Sequence, residues 1–415
     1  MKKCIRVCKN RQKLKKYELF PRLRENGCRI YCKRSAVGTK RRVRQFCEEF
    51  DYCTPKPKDP TPAPVSLSDA PTDSPVPAQP MAWKKMANFP AAGRHHPITF
   101  ANKTHAFVLG GTTQQDFATK DFWYYDAEAD LWVDLTNTDS GYPGEAISFA
   151  YGVASTTDCG NTKAYLGLGV SNSDYLKAWW VFDMSTHIWK RLADFPGTGR
   201  KHPAMNFIED IGEIHLGLGN ERSNLKDYWS YSIENNSWRQ LDDFPGSERH
   251  HPFYFAIGPY SYVGFGHANS IGSGPNVKRD WHRYDAVKES WYREKDFASY
   301  ELDVVDIESA VPVTTEARVA GTQLTVAESC NSNKTMGFVL SGDGRNHGFM
   351  DTGEFHVFNP ENSVWHRLAP HPGRSRWAPG SFVQSSRVFF FAGFDRFTRT
   401  YYSDLWMIDV GSLFD

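Results

Sequence analysis

Three nearly identical decapeptides constrain this chain more than any other feature: NFPAAGRHHP at 88–97, DFPGTGRKHP at 194–203 and DFPGSERHHP at 243–252. Each lies a few residues past a tryptophan, and Trp83, Trp132, Trp189, Trp238, Trp291 and Trp365 recur at spacings of 49, 57, 49, 53 and 74 residues. The stretches between them repeat as well. An apolar segment such as PAMNFIE or PFYFAIG precedes one ending in small residues (AFVLGG, AYLGLG, IHLGLG, YVGFG, FVLSG, FFFAG). A third carries aromatics and usually a final Asp (DFWYYD, AWWVFD, DYWSYS, DWHRYD, EFHVFN, DLWMID). With the tryptophan segment, this gives four short strands per roughly 50 residues, the periodicity of a propeller blade. Glycines in the second strand let neighbouring sheets approach closely. The tryptophans supply interlocking area between blades.

Over essentially all of 81–415 the sequence resembles the kelch-repeat family. The paired small residues, the aromatic third strand and the Trp opening the fourth carry that resemblance. It is similar to the secreted kelch proteins with FPG..R repeats, and more distantly to the sialic-acid mutarotases. Full units run Arg94–Leu135, Glu145–Leu192, Arg200–Leu241, Arg249–Arg293 and Arg318–Leu368. A sixth begins at Arg376 and stops one strand short, and MAWKKMANF at 81–89 supplies a strand of the missing kind. The expected fold is therefore all-β: a six-bladed kelch propeller whose last blade is closed by an N-terminal strand, removing the open sheet edges.

The resemblance implies that the first strand of each blade lines a central channel. It places Arg94, Arg200, Arg249, Arg318 and Arg376 at the channel mouth, with Glu145 at that place in the second blade. Five guanidinium groups on one ring would repel by about 1.7 kcal/mol per pair at ~10 Å and an effective dielectric near 20. Two readings follow. Each Arg caps carbonyls or pairs with a local carboxylate such as Asp194 or Asp243, or the ring binds an anionic sugar or acidic peptide. Departures from the repeat are the better functional clues. They are Glu145, Trp377 and the insertion SYELDVVDIESAVPVTTE at 299–316, whose Glu301, Asp303, Asp306, Glu308 and Glu316 are expected at the same face as a lid or a solvated loop. His96, His202 and His251 each stand two residues past an Arg. Three such imidazoles could converge on a metal, but blades one, three and four are unevenly arranged and a repeated His more often packs on a neighbouring Trp. No metal and no cofactor is expected. No Cys falls near the channel to build a Tyr–Cys copper site, and no nucleophile–base spacing or phosphate loop is present.

Residues 54–80 contain nine prolines and read as an extended, semi-rigid spacer. Before it, residues 1–53 carry 17 Lys and Arg against 5 Asp and Glu, leaving 32 basic and 43 acidic residues in the rest. Six of the eight cysteines lie in this basic head. Such density suggests a disulfide framework and an oxidising compartment, with zinc-ligating cysteines in a cytosolic chain as the rival reading. No apolar leader precedes the head, so the numbering is expected to begin near a mature secreted terminus. Cysteines at i and i+4 share a helix face. Two antiparallel helices joined near FPRLRENG would pair Cys4 with Cys32 and Cys8 with Cys28, a pattern resembling the plant α-hairpinins, and leave Cys47 for Cys53. The connectivity is one among 15. The head could bind polyanions, contact the acidic propeller, or be merely well solvated. Cys159 and Cys330 fall in opposed blades and are expected as free thiols.

Sequons at Asn102, Asn235 and Asn333 are expected on the face opposite the arginines, leaving the mouth clear of glycans. No segment is apolar for long enough to span a bilayer as a helix, and a secreted chain has no nucleic-acid partner to meet. The expected protein is secreted, at the cell surface or in a matrix, and binds an anionic glycan, matrix polymer or protein partner at the channel mouth. A sugar-acid mutarotase-like enzyme with Glu145 or a His as base, and a structural subunit of an extracellular assembly, are the alternatives.

Overall fold

The computed structural model describes residues 23–25, 28–30, 81–154, 162–268, 276–301, 318–329, 332, 334–344 and 347–414. The chain divides into two compact units, Met1–Val76 and Pro77–Asp415. In the first, Leu23–Glu25 pairs antiparallel with Cys28–Ile30. The expected helices, the three cysteine pairings and the proline spacer otherwise lie outside the described residues, as do Cys159, Cys330 and Asn333.

The second unit is a six-bladed propeller with almost no helix, its described helical turns being Glu209–Ile211 and Gly411–Leu413. Its blades run outward as follows. Blade one is Ile98–Ala101, His105–Thr113, Thr119–Asp126 and Leu131–Asp134; blade two is Tyr151–Ala154, Lys163–Gly167, Trp179–Asp183 and Ile188–Arg191. Blade three is Ala204–Ile208, Glu213–Gly217, Tyr228–Ser232 and Ser237–Leu241; blade four is Phe253–Ile257, Tyr260–Gly264, Trp281–Asp285 and Ser290–Arg293. Blade five is Thr322–Ala327, Thr335–Leu340, Gly353–Asn359 and Val364–His371. Blade six is Gly380–Gln384, Arg387–Phe391 and Leu405–Asp409, with Lys84–Met86 as its outer strand, Lys85 facing Trp406 in the register. The first strand of each blade touches the first strands of its two neighbours.

The decapeptides explain how the blades hold together. In blade three the Phe195 ring lies under the Arg200 guanidinium, 5.0 Å away, and edge-on to Trp238 at 5.0 Å. Trp238 in turn donates its indole N–H to the Ala193 carbonyl at 3.0 Å. Blade one repeats this with Phe89, Arg94 and Trp132, and blade four with Phe244, Arg249 and Trp291, while blade five repeats the ring stack with Phe297, Arg318 and Trp365. In blade two Tyr142 takes the place of the phenylalanine, 5.1 Å from Trp189. A cation, an aromatic and a tryptophan thus stack at the top of each such blade, where burial makes both dispersion and the cation–π attraction count.

The paired small residues have an equally local cause. The backbone N–H of Gly111, Gly169, Gly219, Gly266, Gly342 and Gly393 donates to the carbonyl of Ile147, Arg200, Arg249, Arg318, Arg376 and Arg94 respectively, a closed circuit from each blade to the next. At Gly219, φ is +90° and a Cβ would stand 2.7 Å from the Lys201 carbonyl oxygen. Only glycine satisfies both conditions without strain.

The insertion at 299–316 starts elsewhere than expected. Ser299–Glu301 adds a parallel strand to the outer edge of blade five, beside Trp365–Arg367, so its first residues lie on the circumference rather than at the mouth. Asp303, Asp306, Glu308 and Glu316 are outside the described residues.

Candidate functional site at the channel mouth

The five arginines are buried and internally bonded. Arg200 donates from Nη1 and Nη2 to Asp227 Oδ1 and Oδ2 at 2.6 and 2.7 Å, and from Nη1 to the Leu218 carbonyl at 3.0 Å. Arg94 holds Asp121 at 2.8 and 2.7 Å, Arg249 holds Asp280 at 2.6 and 2.8 Å, Arg376 donates from Nη2 to Asp404 at 2.8 Å, and Arg318 pairs with Glu354. The partners are the acidic residues that open the third strand of the same blade, not Asp194 or Asp243. Burial opposes ionisation of Asp121, Asp227, Asp280 and Asp404, but the arginine hydrogen bonds and charges outweigh it and hold each carboxyl below its ordinary value. Balanced in this way, the guanidinium groups cement the blades and present no ring of cations to an anion.

Blade two breaks the pattern at both ends of the pair. Its arginine position is filled by Ile147, whose carbonyl takes its turn in the glycine circuit, and its acidic position by Ala178, whose carbonyl accepts from Leu168 as that of Asp227 does from Leu218. Glu145 stands two residues before that position and is exposed. It is not the counterpart of the arginines.

One residue per blade, at the entry to the innermost strand, adopts a left-handed backbone: His96, Phe149, His202, His251, Ala320 and Ala378, with φ between 46° and 57°. Histidine tolerates this region better than most side chains. Inter-blade bonds run from His96 N–H to Ala378 O, Ala378 to Ala320, His251 to His202 and His202 to Phe149. The left-handed turn therefore gathers six side chains around the axis. Three of them are the histidines singled out in the sequence, and the structure brings them together rather than leaving each on a separate tryptophan. His96 Nε2 lies 3.1 Å from His251 Nε2, and His202 stacks on His251 with centroids 3.4 Å apart. Trp377 joins them, 4.7 Å from His96 and 4.4 Å from His95. Behind this plug the inner strands line an open pocket, its walls formed among others by Tyr151, Met205, Phe207, Tyr254 and Gln323.

A second histidine group lies beside the first and was not anticipated. His250, His267 and His347 offer one ring nitrogen each within 4.8 Å of one another, as His96, His202 and His251 do. The second trio is half-exposed; the first is fully buried. With His95, seven of the chain's 14 histidines meet at the mouth. Burial, then the neighbouring imidazoles, lowers His250 to about 3, and burial lowers His96, His202 and His251 well below the ordinary value. These four are neutral near pH 7 and able to donate a lone pair. Asp343 is buried next to His347, with its Oδ2 3.5 Å from Nδ1, and also pairs with Arg396. Burial raises its carboxyl despite both partners. Sequence signals for this group existed: the doubled His in GRHHP and ERHHP, and His267 in FGHAN, just past the small residues of its strand.

The rim is aromatic. Phe117, Phe349 and Phe397 are 51%, 43% and 56% exposed. They sit between the second and third strands of blades one, five and six, which are consecutive around the ring. Arg374 covers Phe397 at 4.2 Å and Phe349 at 5.4 Å. Of the other exposed large apolar residues, Ile211 and Val287 lie in turns of the opposite face, Leu131 and Ile188 open outer strands beside such turns, and Tyr292 lies within an outer strand. Asn102 and Asn235 also lie on that opposite face, Asn235 exposed and Asn102 half-buried. In comparisons with known proteins, no family model and no curated protein matches the chain.

Proposed function

We propose that this chain is a kelch-type propeller that serves as a secreted binding module and engages a protein partner through its channel-mouth face. The observation that carries this reading is the arc of Phe117, Phe349 and Phe397 across three consecutive blades. Solvated phenylalanines cost free energy that a partner recovers on covering them. Phenylalanine and arginine are also among the residues enriched at the centres of protein interfaces, and Arg374 lies across two of the rings. With the buried arginines unavailable, the anionic-glycan form of the expectation loses its support. Asn102 and Asn235 on the far face fit a glycoprotein whose mouth is kept free.

The test is capture from the extracellular fraction by the immobilised chain, compared with Phe349→Ser plus Phe397→Ser. Loss of a specific captured protein at unchanged thermal stability supports the reading. Capture that survives the double substitution, or selective binding to a glycan array alone, overturns it.

A further inference from the structure

We propose that His250, His267 and His347 form a binding site for one divalent transition-metal ion of the zinc type, open to solvent at the mouth of the propeller.

The first argument is spacing. Three imidazoles bound tetrahedrally to one ion, each nitrogen at ~2.0–2.1 Å, place their ring centroids about 5 Å apart. The observed separations are 5.0 Å for His250–His267, 4.9 Å for His267–His347 and 5.9 Å for His250–His347. The buried trio does not meet this requirement. His202 and His251 are stacked at 3.4 Å with only 25° between their planes, an arrangement in which two ring nitrogens cannot point at one ion from tetrahedral directions.

The second argument is the hydrogen bonding. Clustered neutral histidines in a protein interior ordinarily satisfy one another, as His96 does with His95 at 2.7 Å and with His251 at 3.1 Å. Among the described residues no such bond joins His250, His267 and His347, although a nitrogen of each lies within 4.8 Å of the others. Nδ1 of His267 is buried without a hydrogen-bond partner. Converging, unsatisfied lone pairs are costly unless a cation meets them.

The third argument is what stands behind the rings. Metal-bound histidines typically donate their other ring N–H to a carbonyl or carboxylate, which fixes the tautomer and aims the free nitrogen. His250 Nδ1 lies 2.7 Å from Asn224 Oδ1. The Asn224 amide is oriented by its own Nδ2, which donates to the His267 carbonyl at 3.0 Å. That oxygen can only accept, so His250 keeps Nε2 as the lone pair. His347 Nδ1 faces the buried Asp343 carboxylate, leaving its Nε2 likewise. Three ring nitrogens on half-buried imidazoles leave a fourth position for water or for a group of a bound partner, the arrangement of an exchangeable rather than a closed structural site. Because the metal site and the phenylalanine rim share no residue, either can fail alone.

The experiment uses the full chain, stripped with chelator, checked for unchanged folding, and titrated with Zn²⁺ alone. One Zn²⁺ per chain is expected at the mouth. His267→Ala and His347→Ala should each weaken it by more than about 100-fold, and Asn224→Ala by roughly 10–100-fold, the usual cost of losing an orienting partner. His202→Ala in the stacked trio should leave it unchanged. Co²⁺ in place of Zn²⁺ should give a tetrahedral spectrum without thiolate charge-transfer bands, which separates this site from the cysteines of the head. The proposal is overturned by Zn²⁺ affinity that survives His267→Ala plus His347→Ala, by loss of binding in His202→Ala instead, or by no binding in the intact chain.

Discussion

Removing one carboxylate from the repeat tests how the blades are cemented. In Asp227→Ala the Arg200 guanidinium keeps its bonds to the Leu218 and Thr198 carbonyls but loses both partners at 2.6 and 2.7 Å, and the Trp229 indole N–H loses its acceptor at 2.8 Å. An unpaired buried charge costs about 3–5 kcal/mol. Asp227 is itself 24% exposed, so water reaches the vacated place and about 3 kcal/mol is the better expectation. At ~2 °C per kcal/mol, the low end for large domains, thermal unfolding should fall by roughly 6 °C. Blade two supplies an internal control, since Ile147 and Ala178 occupy the two positions together. Arg200→Ile combined with Asp227→Ala copies that blade and should regain more than half of the loss, because an apolar pair needs no counter-ion. Circular dichroism melts of the three chains decide the matter. A shift below about 2 °C for the single variant, or a double variant at least as unstable, would refute the view that these pairs are buried and mutually dependent.

Acid should loosen the propeller through the same groups. Glu354, lowered to about 2, and Asp121, Asp227, Asp280 and Asp404, all lowered, bind protons less readily folded than unfolded. Their contribution is therefore present above the ordinary carboxylate range near pH 4 and is lost as pH falls below it. Melting temperature should plateau above about pH 5 and drop steeply below 4, with a shallower drop in Asp227→Ala. Deleting residues 81–89 removes the strand beside Leu405–Asp409, the Trp83 indole bond to the Ala369 carbonyl and the Phe89 ring between Arg94 and Trp132. Limited proteolysis should then cut blade six first, and equal resistance would show the closing strand to be dispensable.

Most of the fold was legible because the features that build it recur. Phe, Gly, Arg, third-strand Asp and Trp act within one blade or across one seam, so each repeat spells its own contacts. The site was legible only in part. His96, His202, His251 and Trp377 were visible as marks against the repeat, but their convergence depends on a left-handed backbone at φ near 50°, which nothing in a lone His-Pro pair announces. His267 and His347 come from the connection after the second strand in blades four and five; His267 faces His250 through a two-residue ladder within blade four, while His347 reaches them from the neighbouring blade. Glu145 misled for the opposite reason. The sequence comparison set it at the arginine position, whereas the backbone circuit counts Ile147.

The repeat and the site divide the labour of the same decapeptide. Its Arg faces outward into the seams in five of six blades, beside a Phe in blades one, three, four and five, and a substitution there is answered by a matching one, as Ile147 is by Ala178. Its last three residues face the axis, where no seam depends on their identity: the positions held by His95, Lys201 and His250 carry Ser148, Val319 and Trp377 in the other blades. A fold stabilised at its seams leaves the axis free to vary, and there histidines cluster toward blades one, three, four and five while aromatics gather at one, five and six. The mouth of a ring built from near-identical units is therefore chemically lopsided, with imidazoles densest at blade four and the phenylalanine arc centred on blade six. Lopsidedness of that kind contributes nothing to closing a propeller, which is why chemistry is to be sought at the mouth and not among the arginines.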